Sequence, residues 1–438
     1  MPEQPVSNRQ SLVAFNGHMV AHAVYDVLAG PAGFVFARFA LSLGVAKEQM
    51  GYVLAVVNLA CLVQVAGVFL TNAIANKKRL VVGVELAEPL VWIACVFLAL
   101  LAPPDWRLAA LILAAALPAA IMHVIRPTLD EWLASVIPPA LRGRFIGRRL
   151  QLLNVVVILS QVGAGLLAER IAPGDTLRFA LLMVAGGLFG LLAALALNRA
   201  SLPAATATDT FQVQDLARLL ANRPFMRFLI GVVVYNFPVN MACAYYQVFY
   251  LQVLGMAESS IAYLMVGYYI VKLATFGLLR RWSDRLGPRR LVLAVAPVYT
   301  AFYLFFPLAV PGRIWPLFLA WTLVGVADAG YSIAMNASLY AIVPETSGRK
   351  AFFAAYNMVV FAFFALAAFL SARFLVLVRP VDIRIAGAHL DTMYLLFLFS
   401  AAMCGICCFY GARFYPESSR ALPPQSPSAP RLGSAPHR

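Results

Sequence analysis

The stretch RRWSDRLGPRRL, Arg280–Leu291, stands between two long apolar runs, and its reading decides the fold. Arginines at this density cannot sit in hydrocarbon, so the stretch is a loop joining two membrane spans. Gly287 permits a tight turn and close helix approach. Asp284 can accept from helix N-terminal amides or from a basic group of a neighbouring loop. A lipid anchor would explain the arginines (Arg280, Arg281, Arg285, Arg289 and Arg290) but neither the aspartate nor the glycine.

Working outward, the chain is hydrophobic almost throughout. Its 438 residues are 62% hydrophobic and 12% charged, with a mean hydropathy of +0.81. Soluble proteins of this size need far more charge. The apolar residues fall in blocks of about 20, enough to cross a bilayer core. Twelve spans are expected, near 16–38, 50–73, 80–101, 107–128, 150–169, 178–198, 226–252, 260–279, 290–310, 315–340, 352–378 and 391–412. The fold class is therefore an all-α polytopic membrane protein. Trp106, Trp315 and Trp282 lie at span ends, where indole favours the interface.

The net charge of +15 does not point to nucleic acid, because the basic residues cluster in short gaps between spans. Most fall before span one, in the even-numbered gaps and after span twelve, which places both ends of the chain in the cytoplasm. The six cysteines lie in apolar runs, so neither a disulfide framework nor a zinc site is expected. No cleavable signal peptide is expected either.

Four regions follow: 1–198, an N-terminal six-helix bundle; 199–225, a cytoplasmic connector; 226–413, a C-terminal six-helix bundle; and 414–438, a disordered Pro- and Ser-rich tail. The connector reads as a flexible piece followed by a short amphipathic helix in FQVQDLARLLANRPF. The two bundles carry traces of a repeat. Laying Met50 on Ile261 brings Tyr52 onto Tyr263 and Lys78-Arg79-Leu80-Val81 onto Arg289-Arg290-Leu291-Val292. Laying Pro139 on Pro344 brings Gly143-Arg144 onto Gly348-Arg349. Duplicated halves are common in secondary transporters, whose sites lie between them.

Asp284-Arg285-x-Gly287-x-Arg289-Arg290 resembles the D-R-x-G-R-R loop of the major facilitator superfamily, and VIPPALRGRFIGRR, Val136–Arg149, resembles its loop after the fourth helix. The resemblance implies two pseudo-symmetric six-helix bundles, with Asp284, Arg285, Gly287, Arg289 and Arg290 as a conformational loop. It also implies that helices one, four, seven and ten line a central cavity. The first-half counterpart departs from the pattern, with Ala73 in place of Asp and Asn76 in place of Gly.

Charged groups inside the spans carry the functional reading. His18, His22 and Asp26 are four residues apart and share one helix face, with Gly30 and Gly33 continuing near it as small contact residues. An aspartate at the bilayer centre costs roughly 2.5–3.5 kcal/mol, so this face must meet protein or water. It can be a proton path, a metal site or a structural network. His18 is expected near the cytoplasmic mouth. Span four brings His123, Arg126, Asp130 and Glu131 around Pro127, with Arg126 and Asp130 spaced to pair as a gate or structural bridge. Asp328 in span ten is the best partner for the lone Lys272 of span eight.

Span seven offers Tyr235, Asn236 and Asn240 around Pro238, groups suited to uncharged hydrogen bonds with a ligand, and Asn336 lies further along span ten. Tyr245 and Tyr246 read as interfacial tyrosines. Glu85 and Glu88 precede Pro89, close enough in sequence to meet the basic stretch Lys77–Arg79.

No nucleotide loop or nucleophile elbow is present, so neither a cofactor nor an enzymatic activity is expected. The expected function is secondary transport of a small molecule or ion by alternating access, as a monomer in the cytoplasmic (inner) membrane. Its proton coupling would fall to Asp26 and Asp328, and its substrate binding to His22, His123, Tyr235, Asn236, Asn240 and Asn336. One alternative is a divalent metal (iron-like) transporter using His18, His22 and Asp26. Another is a non-transporting receptor or assembly factor on the same scaffold.

Overall fold

Gly30-Pro31-Ala32-Gly33 breaks the first long helix. Pro31 has no N–H to give, and its ring conflicts with the carbonyl four residues back. Helix therefore runs Pro5–Ala29, stops, and resumes at Phe34–Ser42. A Cβ on Gly30 would stand 2.3 Å from the Asp26 carbonyl oxygen, so this turn requires glycine. Gly30 and Gly33 thus serve an interruption, not the helix contact expected of them.

The computed structural model describes residues 5–74, 76–137, 142–201, 221–343, 349–380, 383–385 and 388–417. Twelve stretches are long and apolar enough to cross a membrane. They are helix 1 (Arg9–Ser42), helix 2 (Lys47–Thr71), helix 3 (Lys77–Leu101), helix 4 (Pro104–Leu133), helix 5 (Arg148–Glu169) and helix 6 (Thr176–Asn198). The second six are helix 7 (Arg223–Val253), helix 8 (Glu258–Leu286), helix 9 (Pro288–Leu308), helix 10 (Trp315–Leu339), helix 11 (Phe352–Val378) and helix 12 (Met393–Ala412). The expected spans match these throughout. Most of the expected connector helix, the Pro139–Arg144 and Pro344–Arg349 matches in large part, and nearly all of the tail lie outside the described residues.

Packing repeats between the halves. Helix 1 lies on helices 5 and 6, helix 3 on helices 4 and 6, and helix 2 on helix 4. Helix 7 lies likewise on helices 11 and 12, helix 9 on helices 10 and 12, and helix 8 on helix 10. The halves meet where helix 5 crosses helix 8 and helix 2 crosses helix 11, a pair of contacts that exchange under the same symmetry. This is the arrangement that the short sequence matches implied.

Helix 1 begins and helix 12 ends at one face of the bundle, here the terminal face. At the opposite face the two halves are drawn together. Arg38 Nη2 stands 2.6 Å from Glu258 Oε1, Lys47 pairs with Asp391, and the Tyr245 hydroxyl donates to the Glu48 carbonyl at 3.0 Å. Gly51 makes room for this closure, since a Cβ there would lie 2.4 Å from the Tyr245 hydroxyl and 2.6 Å from the Ala368 carbonyl. A short β-hairpin, β1 (Ile383–Ile385) and β2 (Ala388–Leu390), joins helices 11 and 12 at this face, where no strand was expected.

Helix 7 is also interrupted. It runs regularly through Pro238 to Met241, tightens over Cys243–Tyr245 and widens over Phe249–Val253. The disturbance frees carbonyls, and the Tyr303 hydroxyl donates to Val239 O at 2.7 Å. Tyr245 and Tyr246 are not interfacial tyrosines. Both are buried, the former against the first half and the latter bonded to the Tyr303 hydroxyl at 2.5 Å. Stacked and edge contacts with Phe302, Trp321 and Phe397 fix Tyr246 in an aromatic core that leaves no ring free for the lipid boundary.

Candidate functional site: facing ion clusters of the two halves

In the second half, Gly325 lets helix 10 approach helix 8 closely, since a Cβ there would lie 2.9 Å from the Tyr268 carbonyl. One turn further along, Asp328 meets Lys272, with Nζ 2.5 Å from Oδ2. The Tyr268 hydroxyl donates to the same oxygen at 2.5 Å, and the Tyr299 hydroxyl to Oδ1 at 3.2 Å. Tyr268 and Lys272 are one turn apart on helix 8, so both reach the carboxylate together. A lone ammonium in this setting needs a counter-charge, and the expected partner supplies it.

In the first half, glycines of helix 6 admit helices 1 and 3. A Cβ on Gly190 would lie 2.8 Å from Pro89 and 3.4 Å from the Tyr25 ring. Beside them, His18 Nε2 stands 2.9 Å from Glu85 Oε2, and the Tyr25 hydroxyl donates to Glu88 Oε1 at 2.6 Å. Glu85 and Glu88 are therefore not partners of the Lys77–Arg79 stretch. They sit two turns and more inside helix 3, on the face packed against helix 1. His18 is buried and not at an open mouth. His22 Nδ1 lies 3.2 Å from Asp26 Oδ2, and the Asp26 side chain is 66% exposed.

The two clusters face each other across the halves. Tyr269 of helix 8 lies within electrostatic reach of both Asp26 and Asp328. His123 packs edge-on against Phe361 of helix 11, its Nδ1 buried and unpartnered. Arg126 and Asp130 pair at 3.5 Å with both side chains half exposed or more, as their spacing implied.

The neutral polar groups are less available than the sequence suggests. Tyr235 is buried and stacked on Tyr331 with ring centres 4.4 Å apart, its hydroxyl buried and unpartnered. The Asn236 amide nitrogen donates to Val232 O at 2.8 Å and to the Tyr331 hydroxyl, leaving its carbonyl for other partners. The Asn240 amide nitrogen donates to the Asn236 backbone carbonyl, and that of exposed Asn336 to the Ser332 backbone carbonyl of its own helix.

Helices 8 and 9 meet at Gly287 alone, which takes φ +83°, ends one and caps the other; Arg280–Leu286 is therefore the last part of helix 8 and Pro288–Leu291 the start of helix 9, not the loop expected from the sequence. Arg289 pairs with Glu417. Asp284, Arg285 and Arg290 are exposed. The first-half counterpart is built differently, with the Asn76 side chain capping helix 3 by accepting from Arg79 N at 3.0 Å.

Among the described residues, no three His, Cys, Asp or Glu side chains converge on a point that could hold a metal ion. His18 is turned to Glu85 while His22 is turned to Asp26, so the first-helix triad does not form the metal site considered for it. The six cysteines are free thiols.

The sequence model of the Major Facilitator Superfamily matches residues 225–436. No curated protein matches the chain. Among solved structures, the nucleoside transporter NupG matches with TM-score 0.67 at 12% identity, over 94% of this chain and 99% of that one. A bacterial homologue of the human lysosomal transporter Spinster, in an inward-facing and unoccupied conformation, matches with TM-score 0.67 at 15% identity, over 94% and 98%. A D-xylose–proton symporter matches with TM-score 0.60 at 15% identity, over 94% and 98%. The second half of this multi-pass membrane protein thus matches the major facilitator superfamily in sequence, and its full length matches solved transporters in fold.

Proposed function

We propose that this chain is a proton-coupled secondary carrier that moves a small organic solute across the cytoplasmic membrane by alternating access, both ends lying in the cytoplasm. The observation that carries the reading is the pair of ionisable clusters on facing helices, Asp26 with His22 in one half and Asp328 with Lys272 in the other. Ionisable groups at this depth mark solute and proton pathways. The closure at the opposite face, through Arg38–Glu258 and Lys47–Asp391, supports a state open toward the cytoplasm.

Asp26, the more exposed carboxylate, is the proposed entry point of the proton. Protonation of Asp328 then releases Lys272 and frees helix 8 from helix 10. Tyr268, Tyr269 and Trp321 supply ring faces and polar edges near this pair. They suit an uncharged solute with both a planar or ring portion and hydroxyls, and the nucleoside and xylose carriers of the same fold are in keeping with that.

The test is uptake of labelled nucleosides and monosaccharides into vesicles reconstituted with the protein, with and without an imposed pH gradient. Gradient-driven accumulation is expected in the wild type. Asp26→Asn should retain solute exchange and lose accumulation. Accumulation untouched by Asp26→Asn and Asp328→Asn would overturn the assignment of coupling. Absence of any flux, with another protein co-purifying in fixed ratio, would instead support a receptor or assembly role.

A further inference from the structure

His18 and Glu85 are sealed inside the first half at 5% and 2% exposure, and the carrier cycle outlined above gives them no part. They bond through His18 Nε2 and Glu85 Oε2. Each nevertheless keeps its other polar atom, His18 Nδ1 and Glu85 Oε1, buried without a partner. His22 Nε2 is a third such atom, and the two imidazole rings lie 5.5 Å apart, centre to centre. An unpaired buried polar atom costs about 1–3 kcal/mol. With His18 Nε2 and His22 Nδ1 donating to carboxylates, all three unpaired atoms are acceptors, and they call for a small guest that donates, which a water carrying a proton satisfies with its three O–H groups.

We propose that His18, His22 and Glu85 form a proton-binding site between helices 1 and 3 that delivers protons to Asp26. The proposal rests on the reading of the chain as a proton-coupled carrier. A protonated water held by Glu85 and His18 gives its proton to His22 Nε2 and remains as water. His22 releases the proton from Nδ1 to Asp26 Oδ2, 3.2 Å away. Asp26 becomes neutral, His22 is left as the other tautomer, and one proton has moved without a net change of charge on the ring. A ring turn restores the starting tautomer. Imidazole suits this work because one ring nitrogen accepts while the other donates.

The surroundings favour a confined proton. Helix 1 adds Tyr25 and helix 3 adds Glu88, which are bonded to each other. Helix 4 contributes His123, Arg126, Asp130 and Glu131, of which Arg126 acts electrostatically on Glu85. Helices 5 and 6, packed on the other sides, carry no titratable side chain between Leu150 and Ala168 or between Phe179 and Leu197. Glu85 is therefore set against His18 on one side, while the apolar walls of helices 5 and 6 separate the site from lipid.

Infrared difference spectra of the purified protein in lipid, recorded between acidic and alkaline buffer, test this without a known solute. The wild type should show a titrating carboxylic C=O band together with imidazole ring bands. Glu85→Gln and His18→Gln should each lose the imidazole change and shift the pH midpoint of the Asp26 band. The Asp26 band is identified by its loss in Asp26→Asn. If either variant fails to fold, ring-labelled histidine in the wild type gives the same reading, since histidine and carboxyl bands must then titrate together. A carboxyl band that titrates while the histidine bands stay silent, or that is unmoved in Glu85→Gln and His18→Gln, overturns the site and leaves the proton-coupled reading standing. No titrating carboxyl at all overturns both.

Discussion

Arg38 and Glu258 hold the two halves together. Their charged groups meet at 2.6 Å, and the side chains are only 13% and 7% exposed. Removing one member of a buried pair leaves the other charge stranded, at a cost of about 3–5 kcal/mol. Glu258→Gln and Arg38→Gln should therefore each lower the thermal unfolding temperature clearly. The exchanged pair Arg38→Glu with Glu258→Arg should recover part of the loss, as read by thermal melts of the purified protein. A single variant that melts with the wild type would show that the bridge does not hold the face shut.

Lys272 and Asp328 should behave as a unit. Asp328→Asn strands an ammonium and Lys272→Met strands a carboxylate, whereas the double variant strands neither. A double-mutant cycle on stability should show a coupling of roughly 0.5–3 kcal/mol, the double variant being less destabilised than the singles summed. Additive effects would mean that each charge has found another partner.

Gly51 offers a steric test of the closed face. The methyl of Gly51→Ala would press on the Tyr245 hydroxyl, the Ala368 carbonyl and the Ala372 methyl. Backbone cannot yield as a long side chain can, so a penalty of about 1–3 kcal/mol on the closed state is expected. Spin labels at the exposed Ala46 and Pro311, one in each half at this face, should report a longer or broader distance in the variant. An unchanged distribution would count against tight packing there.

Gly287 tests the turn between helices 8 and 9. Its φ of +83° with ψ of 157° is backbone that side-chain-bearing residues rarely adopt. Gly287→Ala should cost about 1–3 kcal/mol through strain alone. A thermal melt checks this, and a control such as Gly83→Ala, where a Cβ meets nothing within 4 Å, should leave it nearly unmoved.

The membrane spans were legible because hydropathy is a local property: each block of apolar residues announces itself without its neighbours. Lys272 and Asp328 were legible for a related reason, since a buried charge demands an opposite one and few were on offer. Glu85 and Glu88 were not, because their partners His18 and Tyr25 depend on how helix 3 is rotated against helix 1, which the glycines of helix 6 decide. Tyr245 and Tyr246 misled for the same reason: tyrosine near a span end suits either the lipid boundary or a protein contact. Arg38–Glu258 went unread because neither residue stands out in its own segment, and only the fold brings helix 1 to helix 8. The turn at Gly30–Gly33 is present in the letters, but small residues in membrane helices also serve close packing, and the letters alone do not separate the two uses.

Helix 1 thus consists of two stiff rods joined at a pivot, with Asp26 just below the joint and Arg38 on the upper rod. Arg38 stands five residues beyond Gly33, about 7.5 Å up the rod at 1.5 Å per residue, so a swing of roughly 20° moves it by about 2.6 Å. That is enough to drag a guanidinium out of bonding range. In the proposed cycle, neutralising Asp26 beside the pivot would thereby unclasp the far side of the molecule while the lower rod, wedged among helices 3, 5 and 6, scarcely stirs.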